Sequence, residues 1–474
     1  MIGVALLLVF FAFAALMYVR ILPAILAVPA MALALAAISG ASPAEIGGAM
    51  VTGSTKLATV FVTVIFGALL SRVTLSTGIA ETIVTYAAEF GGDRPFALAL
   101  ALAAAVALLF TSLSGLGAII MVGSIVLPIM MTVGVPRKLA ATLFLLAFAL
   151  GFIFNIAQWK FYTQTFGVAQ PAMREYALVL GALDLIALLA FAIVRFRASR
   201  GYATWALAIE DDARPKRRAN AAALLTPIVP LVLYYALGID ALLAFAIAAV
   251  YGVLTTRPRD AFATLVASAI RGVEDVAPAV LLFIGIGMLL AVTALPETRA
   301  ALGPLVAAIA PRNPIAYVVL FGVLSPLALF RGPLNPFGVG IAVYTVLAGL
   351  GVLPPVVLVA AVMAVSQVQN ACDPTNTQNV WVANFTGVRV DEIALLTLPY
   401  QVAVATAATL AVVFFAPGLF GVAPFAIPAT RAAAAVLPLD PNVKPAPTAS
   451  PTQPATQATP ATPLPAPTSA NFGA

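Results

Sequence analysis

The hydrophobic and polar positions alternate along this chain in long apolar runs separated by short polar breaks. Full apolar runs lie near 2–19, 21–39, 57–75 and 176–196, and again near 221–238, 240–256, 278–295 and 392–416. Each approaches the ~20 apolar residues, rising about 1.5 Å apiece, that a bilayer-spanning helix requires. The first run lacks a basic leader and a small-residue cleavage site, so it reads as a span and not as a signal peptide. Four further apolar stretches are interrupted in their middles by Gly, Pro, Asn or Ser, which predicts hairpins and broken helices in place of plain spans.

The two series match each other at an offset of 217 to 221 residues. Leu69-Leu70 corresponds to Leu289-Leu290, Pro95 to Pro314, Phe110 to Phe330, Gly117 to Gly338, and Glu175 to Glu392. Each half is then three spans, a hairpin of two apolar arms, an interrupted helix and a last span. If the hairpin enters and leaves on one side, each half crosses five times, and an odd number inverts the second half relative to the first. The expected fold is an all-α polytopic membrane protein of two inverted repeats, each with a re-entrant helical hairpin and a broken transmembrane helix. Its divisions are 1–196, a cytoplasmic linker 197–219, a second repeat 220–416, and a tail 417–474 rich in Pro, Ala and Thr that predicts disorder.

Composition agrees with a lipid solvent. Hydrophobic residues make up 62% and charged ones 9% of the 474, with a mean hydropathy of +1.08, a balance that no water-soluble domain shows. Most of the basic residues fall on one side of the crossing scheme when the linker is placed in the cytoplasm, which puts both termini outside, in a prokaryotic-type inner membrane. Loops 197–219 and 257–276 are then cytoplasmic and 40–56 external. The net charge of +6 is therefore a topology signal, and no nucleic-acid partner is expected. The chain has no histidine and one cysteine, Cys372, so an internal disulfide and most zinc or haem sites are excluded. With no paired carboxylates on one helix and no nucleophile–base pair, an intramembrane enzyme is not expected. No cofactor is expected either, and no metal beyond a Na⁺ site.

Interrupted backbone at membrane depth is tolerated only where protein or a wet cavity covers it, so the interruptions mark the candidate site. The first hairpin, 95–133, has its tip at Thr111–Gly117; the second, 314–353, has its tip at Arg331–Gly338. The helix breaks fall at Asn155–Gln158 and at Asn370–Asn379. Freed carbonyls suit Na⁺ and freed helix N-termini suit an anion. The candidate substrate residues are Ser112, Ser114, Gly115, Gly117, Arg331, Asn335, Thr375, Asn376 and Thr377. The candidate cation-coupling residues are Asn155, Asp184, Asn370, Asp373 and Asn379. A charge such as Arg331 at a hairpin tip needs a partner, either an anionic substrate group or Asp373. Asp184 has Gln401 as its counterpart in the other half and reads either as a cation site or as an interhelical hydrogen-bond partner.

These features together resemble the ion transporter superfamily, which includes citrate, dicarboxylate, gluconate and arsenite carriers. The residues that carry the resemblance are Ser112–Gly117, Gly332–Asn335, the break at Asn155 and the run Cys372–Asn379, and it covers about residues 1–416. It implies a homodimer in which a unit of hairpins and broken helices moves against a scaffold, coupled to Na⁺ or H⁺. The dicarboxylate branch carries Ser-Asn-Thr at its hairpin tips; here Thr375-Asn376-Thr377 lies in a helix break and the first tip has no asparagine. The expected function is cation-coupled uptake of a small organic anion, such as a di- or tricarboxylate or sugar acid, by elevator-type alternating access. The alternative is a cation/proton antiporter or inorganic anion exporter of the same fold.

Overall fold

A computed structural model of the chain describes residues 2–19, 21–198 and 218–420, all within one compact helical body. The central part of the linker and the tail beyond Phe420 lie outside the described residues, and so do the expectations placed on them.

The first half runs α1 (Ile2–Tyr18), α2 (Ala24–Ser39), α3 (Pro43–Lys56), α4 (Ala58–Ser76), α5 (Ile79–Gly91), α6 (Pro95–Phe110), α7 (Leu116–Thr132), α8 (Arg137–Phe152), α9 (Ile156–Phe166) and α10 (Gln170–Ala198). In the second half come a 3₁₀ turn (Ala223–Leu225), α11 (Val229–Leu231), a π-helix (Val232–Ala236), α12 (Ala241–Thr256), α13 (Ala261–Thr293) and α14 (Pro296–Ile309). There follow α15 (Pro314–Val318) with a π segment (Val319–Val323) and a 3₁₀ segment (Ser325–Arg331), then α16 (Gly340–Leu350), α17 (Pro355–Cys372), α18 (Thr377–Thr386) and α19 (Val390–Phe420). From α2 and α12 onward the order of elements recurs: α8 starts at Arg137 and α17 at Pro355, α10 at Gln170 and α19 at Val390.

Six helical segments among the described residues are long and apolar enough to cross a membrane, and the bent pair α8–α9 makes a seventh. The chain is a multi-pass integral membrane protein. The expected spans 2–19 and 240–256 each lose one residue, and 21–39 loses three because α2 starts only after Pro23; Gly40 closes α2 in the left-handed region, and the Asp240 carboxylate accepts the Leu242 N–H at the start of α12. These helices have 16 or 17 residues, about 24–26 Å of rise.

Four sequence expectations are corrected. The span at 221–238 is broken into short pieces, as Pro227 and Pro230 each remove a backbone donor and prevent a regular helix. The span at 278–295 begins far earlier, since Pro278 lies inside the 33-residue α13, where neighbouring helices cover the freed carbonyl. The loops foreseen at 40–56 and 257–276 are therefore mostly helix, α3 and the first half of α13. The last span also continues past 416, to Phe420.

Packing interlocks the halves. Helix α13 lies along α2, α3 and α4, while α17 and α19 pack on α8 and α10. The two helices that lead into the breaks are the innermost: in α17 every residue from Val357 to Cys372 is buried, and in α8 every residue from Leu139 to Ala149. Surrounded on every side, neither helix needs a solvent-facing polar stripe; the polar residues of α17, Ser366, Gln367, Gln369 and Asn370, gather at its end next to the break. The lipid-exposed side chains, such as Ile186, Ile193, Leu254 and Phe414, belong to the peripheral helices.

Candidate functional site

The helices stop at both expected tips and both expected breaks, with small changes of register. The first tip is Thr111–Gly115, because α7 already starts at Leu116. The second tip begins at Phe330, where Phe330 and Arg331 adopt φ of 56° and 59°, a left-handed conformation costly for side chains of this size. The α8–α9 pair bends by 53°, whereas Pro355–Thr386 continues as a straighter span interrupted at Asp373–Asn376.

Asn155 holds the first half together at its break. Its Nδ2 donates to the carbonyls of Phe110 (2.9 Å) and Leu113 (3.0 Å), and its Oδ1 accepts the N–H groups of Ala157 (3.1 Å) and Gln158 (3.2 Å) as the N-cap of α9. The tip is tied a second time by Ser71 of α4, whose Oγ accepts the Ser114 N–H at 2.9 Å. Gly115 has φ +91°, and a Cβ there would meet Val276 of α13 at 2.9 Å. A Cβ on Gly117 would collide with the Asp275 carboxylate. Both glycines therefore let the first hairpin close onto α13. Asp275 in turn forms a two-point ion pair with Arg72 of α4.

Asp373 does the same work in the second half with opposite polarity. Its carboxylate accepts the backbone N–H groups of Phe330 (3.0 Å), Arg331 (3.4 Å) and Thr375 (2.9 Å), the Thr375 hydroxyl (2.7 Å) and Asn335 Nδ2 (3.2 Å). Asn335 also donates to Ala328 O at 2.9 Å and accepts the Phe337 N–H at 2.9 Å. Asn379 donates to the Asp373 carbonyl at 2.9 Å. Across the break, Gln369 Nε2 donates to Asn376 Oδ1 (3.0 Å) and Asn376 Nδ2 returns to Gln369 O (2.6 Å).

These pieces enclose one cavity of about 830 Å³. Of the sequence-derived residues, Ser114, Gly115, Asn155, Arg331, Asn370, Thr375, Asn376 and Thr377 line it. Ser112, Gly117, Asn335, Asp373 and Asn379 stand behind this lining and position it; the Ser112 hydroxyl turns back to Leu109 O at 3.4 Å. Asp184 lies apart, buried between α10 and α19, where Gln401 Nε2 donates to its Oδ1 at 2.8 Å. Arg331 Nη1 donates to Phe337 O at 3.2 Å, and Asp373 meets the backbone of Arg331, not its guanidinium. The pairing expected between these two residues is thus a tip clamp.

Sequence reading missed Asp275, Ser71 and Gln369 and left Gln158, although within the first break, out of the site; Asp275, Gln158 and Gln369 all line the cavity. Asp275 was hidden by placing the start of its span at Pro278; an acidic pair, Glu274-Asp275, next to an apolar run was the available signal. Asn155 was matched with Asn370, but the helix starts at Arg137 and Pro355 align it with Asp373.

The rest of the wall is apolar and aromatic, including Phe110, Phe148, Phe152, Phe283 and Phe337. Phe337 packs on Phe161 and Phe283 with centroids 5.1 and 6.1 Å apart. The N-terminus of α18 opens on the cavity at Thr377 and Gln378 with no side-chain cap, so its positive end adds to the Arg331 charge.

No family model matches the sequence, and no curated protein is similar to it. Solved structures share its fold. The Alcanivorax borkumensis YdaH transporter superposes with a TM-score of 0.56 at 15% identity, over 78% of this chain and 88% of that one. Neisseria gonorrhoeae MtrF, from a class of antimetabolite efflux pumps, superposes with a TM-score of 0.55 at 15% identity, over 81% and 84%. At 15% identity these likenesses show that the chain shares the fold of the two transporters.

Proposed function

We propose that the protein is a secondary active transporter of a small organic anion, coupled to a Na⁺ or H⁺ gradient and working by elevator-type alternating access. The observation that carries this reading is the convergence of both hairpin tips and both helix breaks on a single cavity that holds Arg331. Residues of α2, α4 and α13 line that cavity together with the tips and breaks, an arrangement suited to one unit moving against a scaffold. Arg331 and the uncapped start of α18 supply positive potential for a carboxylate or similar group. Aromatic walls favour a ligand with an apolar body over a bare inorganic ion. Gln369 Oε1, without a partner among the described residues, offers an acceptor to a substrate donor.

In this reading the two halves are inverted repeats, both termini lie outside and the protein works as a homodimer. The coupling cation sits near the freed backbone of the breaks, with Asn155, Asn370 and Asn379 nearby. Asp373 contributes charge while its oxygens hold the second tip.

Purified protein in proteoliposomes, offered a panel of organic anions under a Na⁺ or an H⁺ gradient, tests the proposal. Arg331→Gln should lower uptake more than about tenfold and Arg331→Lys less, since lysine keeps the charge but not the planar fork. Undiminished uptake by Arg331→Gln would exclude the anion role. A second reading, export over the same fold, is favoured by the likeness to MtrF. Gradient-driven loss from preloaded vesicles, with no uptake in the opposite orientation, would select it.

A further inference from the structure

The contact between Asp184 and Gln401 is chemically incomplete as an ionised pair. Both side chains are buried, at 1% and 0% exposure, and they share one hydrogen bond, Gln401 Nε2 to Asp184 Oδ1. The second oxygen of each, Asp184 Oδ2 and Gln401 Oε1, has no partner among the described residues. Two buried acceptors without a donor, on side chains already joined by one hydrogen bond, violate the rule that buried polar groups are satisfied. One proton removes the conflict. On Oδ2 it gives Asp184 a hydroxyl that can donate to Gln401 Oε1, so that acid and amide exchange two hydrogen bonds in a ring.

Among the described residues no cation is paired with Asp184. Helix α10 packs against α19, α8, α17 and α6. At this depth α17 brings only the buried thiol of Cys372, and α19 brings Tyr400, whose ring packs edge-on against Phe191. Tyr176 of α10 is turned away, donating to Ala360 O at 3.0 Å. Helices α8 and α6 carry no ionisable side chain beyond Arg137 and Lys138 at the start of α8. The salt bridge of Lys138 is with Glu392, at 2.8 Å on the exposed end.

We propose that Asp184 is a proton-binding site that holds its proton throughout, and that the neutral acid closes a two-bond ring with Gln401 which fastens α10 to α19. It is separate from the cavity and does not depend on the transport reading. A counterpart pair is built by sequence equivalence, since each residue is the other's mate at an offset within 217–221, so the two last spans of the halves meet here side to side.

The full-length protein in detergent tests this by infrared difference spectroscopy and thermal unfolding. The spectrum at neutral pH should contain a carboxylic-acid carbonyl band that disappears in Asp184→Asn. That variant should unfold at the wild-type temperature, because an asparagine amide donates to Gln401 Oε1 as the acid hydroxyl does. Wild-type stability should fall as pH rises from the acid range, where the unfolded carboxyl gives up its proton and the folded one keeps it, and should level off only where the folded acid is stripped, while Asp184→Asn should lack this component. Gln401→Leu should unfold at lower temperature and restore nothing when combined with Asp184→Asn, whereas Asp184→Leu with Gln401→Leu should recover part of the loss. Absence of the acid band in the wild type, or a large destabilisation of Asp184→Asn, would overturn the proposal. If only transport fails in Asp184→Asn while band and stability behave as stated, the proton is cycled and not held, which overturns the claim of a permanent proton.

Discussion

Asn155 and Asp373 occupy equivalent places in the two halves, and each ties a hairpin tip to the broken helix beside it, yet they do so with reversed polarity. The first tip turns carbonyls toward its break, those of Phe110 and Leu113, so the clamp must donate, and an amide can do that while its oxygen caps α9. The second tip turns N–H groups inward, because Phe330 and Arg331 are left-handed. Its clamp must accept, and a carboxylate with two oxygens gathers five donors. A shared architecture therefore does not imply shared residue types: the direction in which a tip's backbone points selects amide or acid. The difference also places a negative charge beside Arg331.

The largest expected effect is at Asp373. Asp373→Asn turns an NH₂ toward donors and should lower stability by about 3 kcal/mol, as loss of a buried, multiply bonded charge does. Reaction of buried Cys372 with a thiol dye during heating measures it, and an unchanged midpoint would break the comparison. Next, Asn155→Asp should cost about 2 kcal/mol and be worse than Asn155→Ala, since a carboxylate placed against two carbonyls is repelled where alanine only leaves them unpaired. Equal losses in the two variants would show that polarity does not matter at the first clamp. Gly117→Ala should cost about 2 kcal/mol by overpacking against Asp275, and its counterpart Gly338→Ala, whose Cβ would meet the Arg331 backbone, should cost a similar amount. The smallest effect is Ser71→Ala, about 1 kcal/mol for one buried hydrogen bond to the first tip. Its midpoint should shift only slightly, and a larger shift would mean that α4 holds that tip more firmly than Asn155 does.

Much of this was legible in the chain itself. Apolar runs, their interruptions and the recurrence at 217–221 residues specify helices, hairpins and breaks, because in hydrocarbon every backbone group must be paired within its own segment or covered by protein. Eight of the nominated site residues line the cavity for that reason: a break in an apolar run is a local signal. What the chain alone left undecided depends on contacts between segments far apart. Pro278 reads as a helix start and becomes a mid-helix residue only because α2, α3 and α4 cover α13, and that change brings Asp275 to the first hairpin. Asp373 reads as a free intramembrane charge and becomes a tip clamp only because the backbone at Phe330 and Arg331 turns toward it. Asp184 and Gln401 are 217 residues apart, and nothing local says that they touch. Sequence determined where helices must stop, since that follows from backbone satisfaction; tertiary structure decided which polar groups meet, since that follows from how the halves pack.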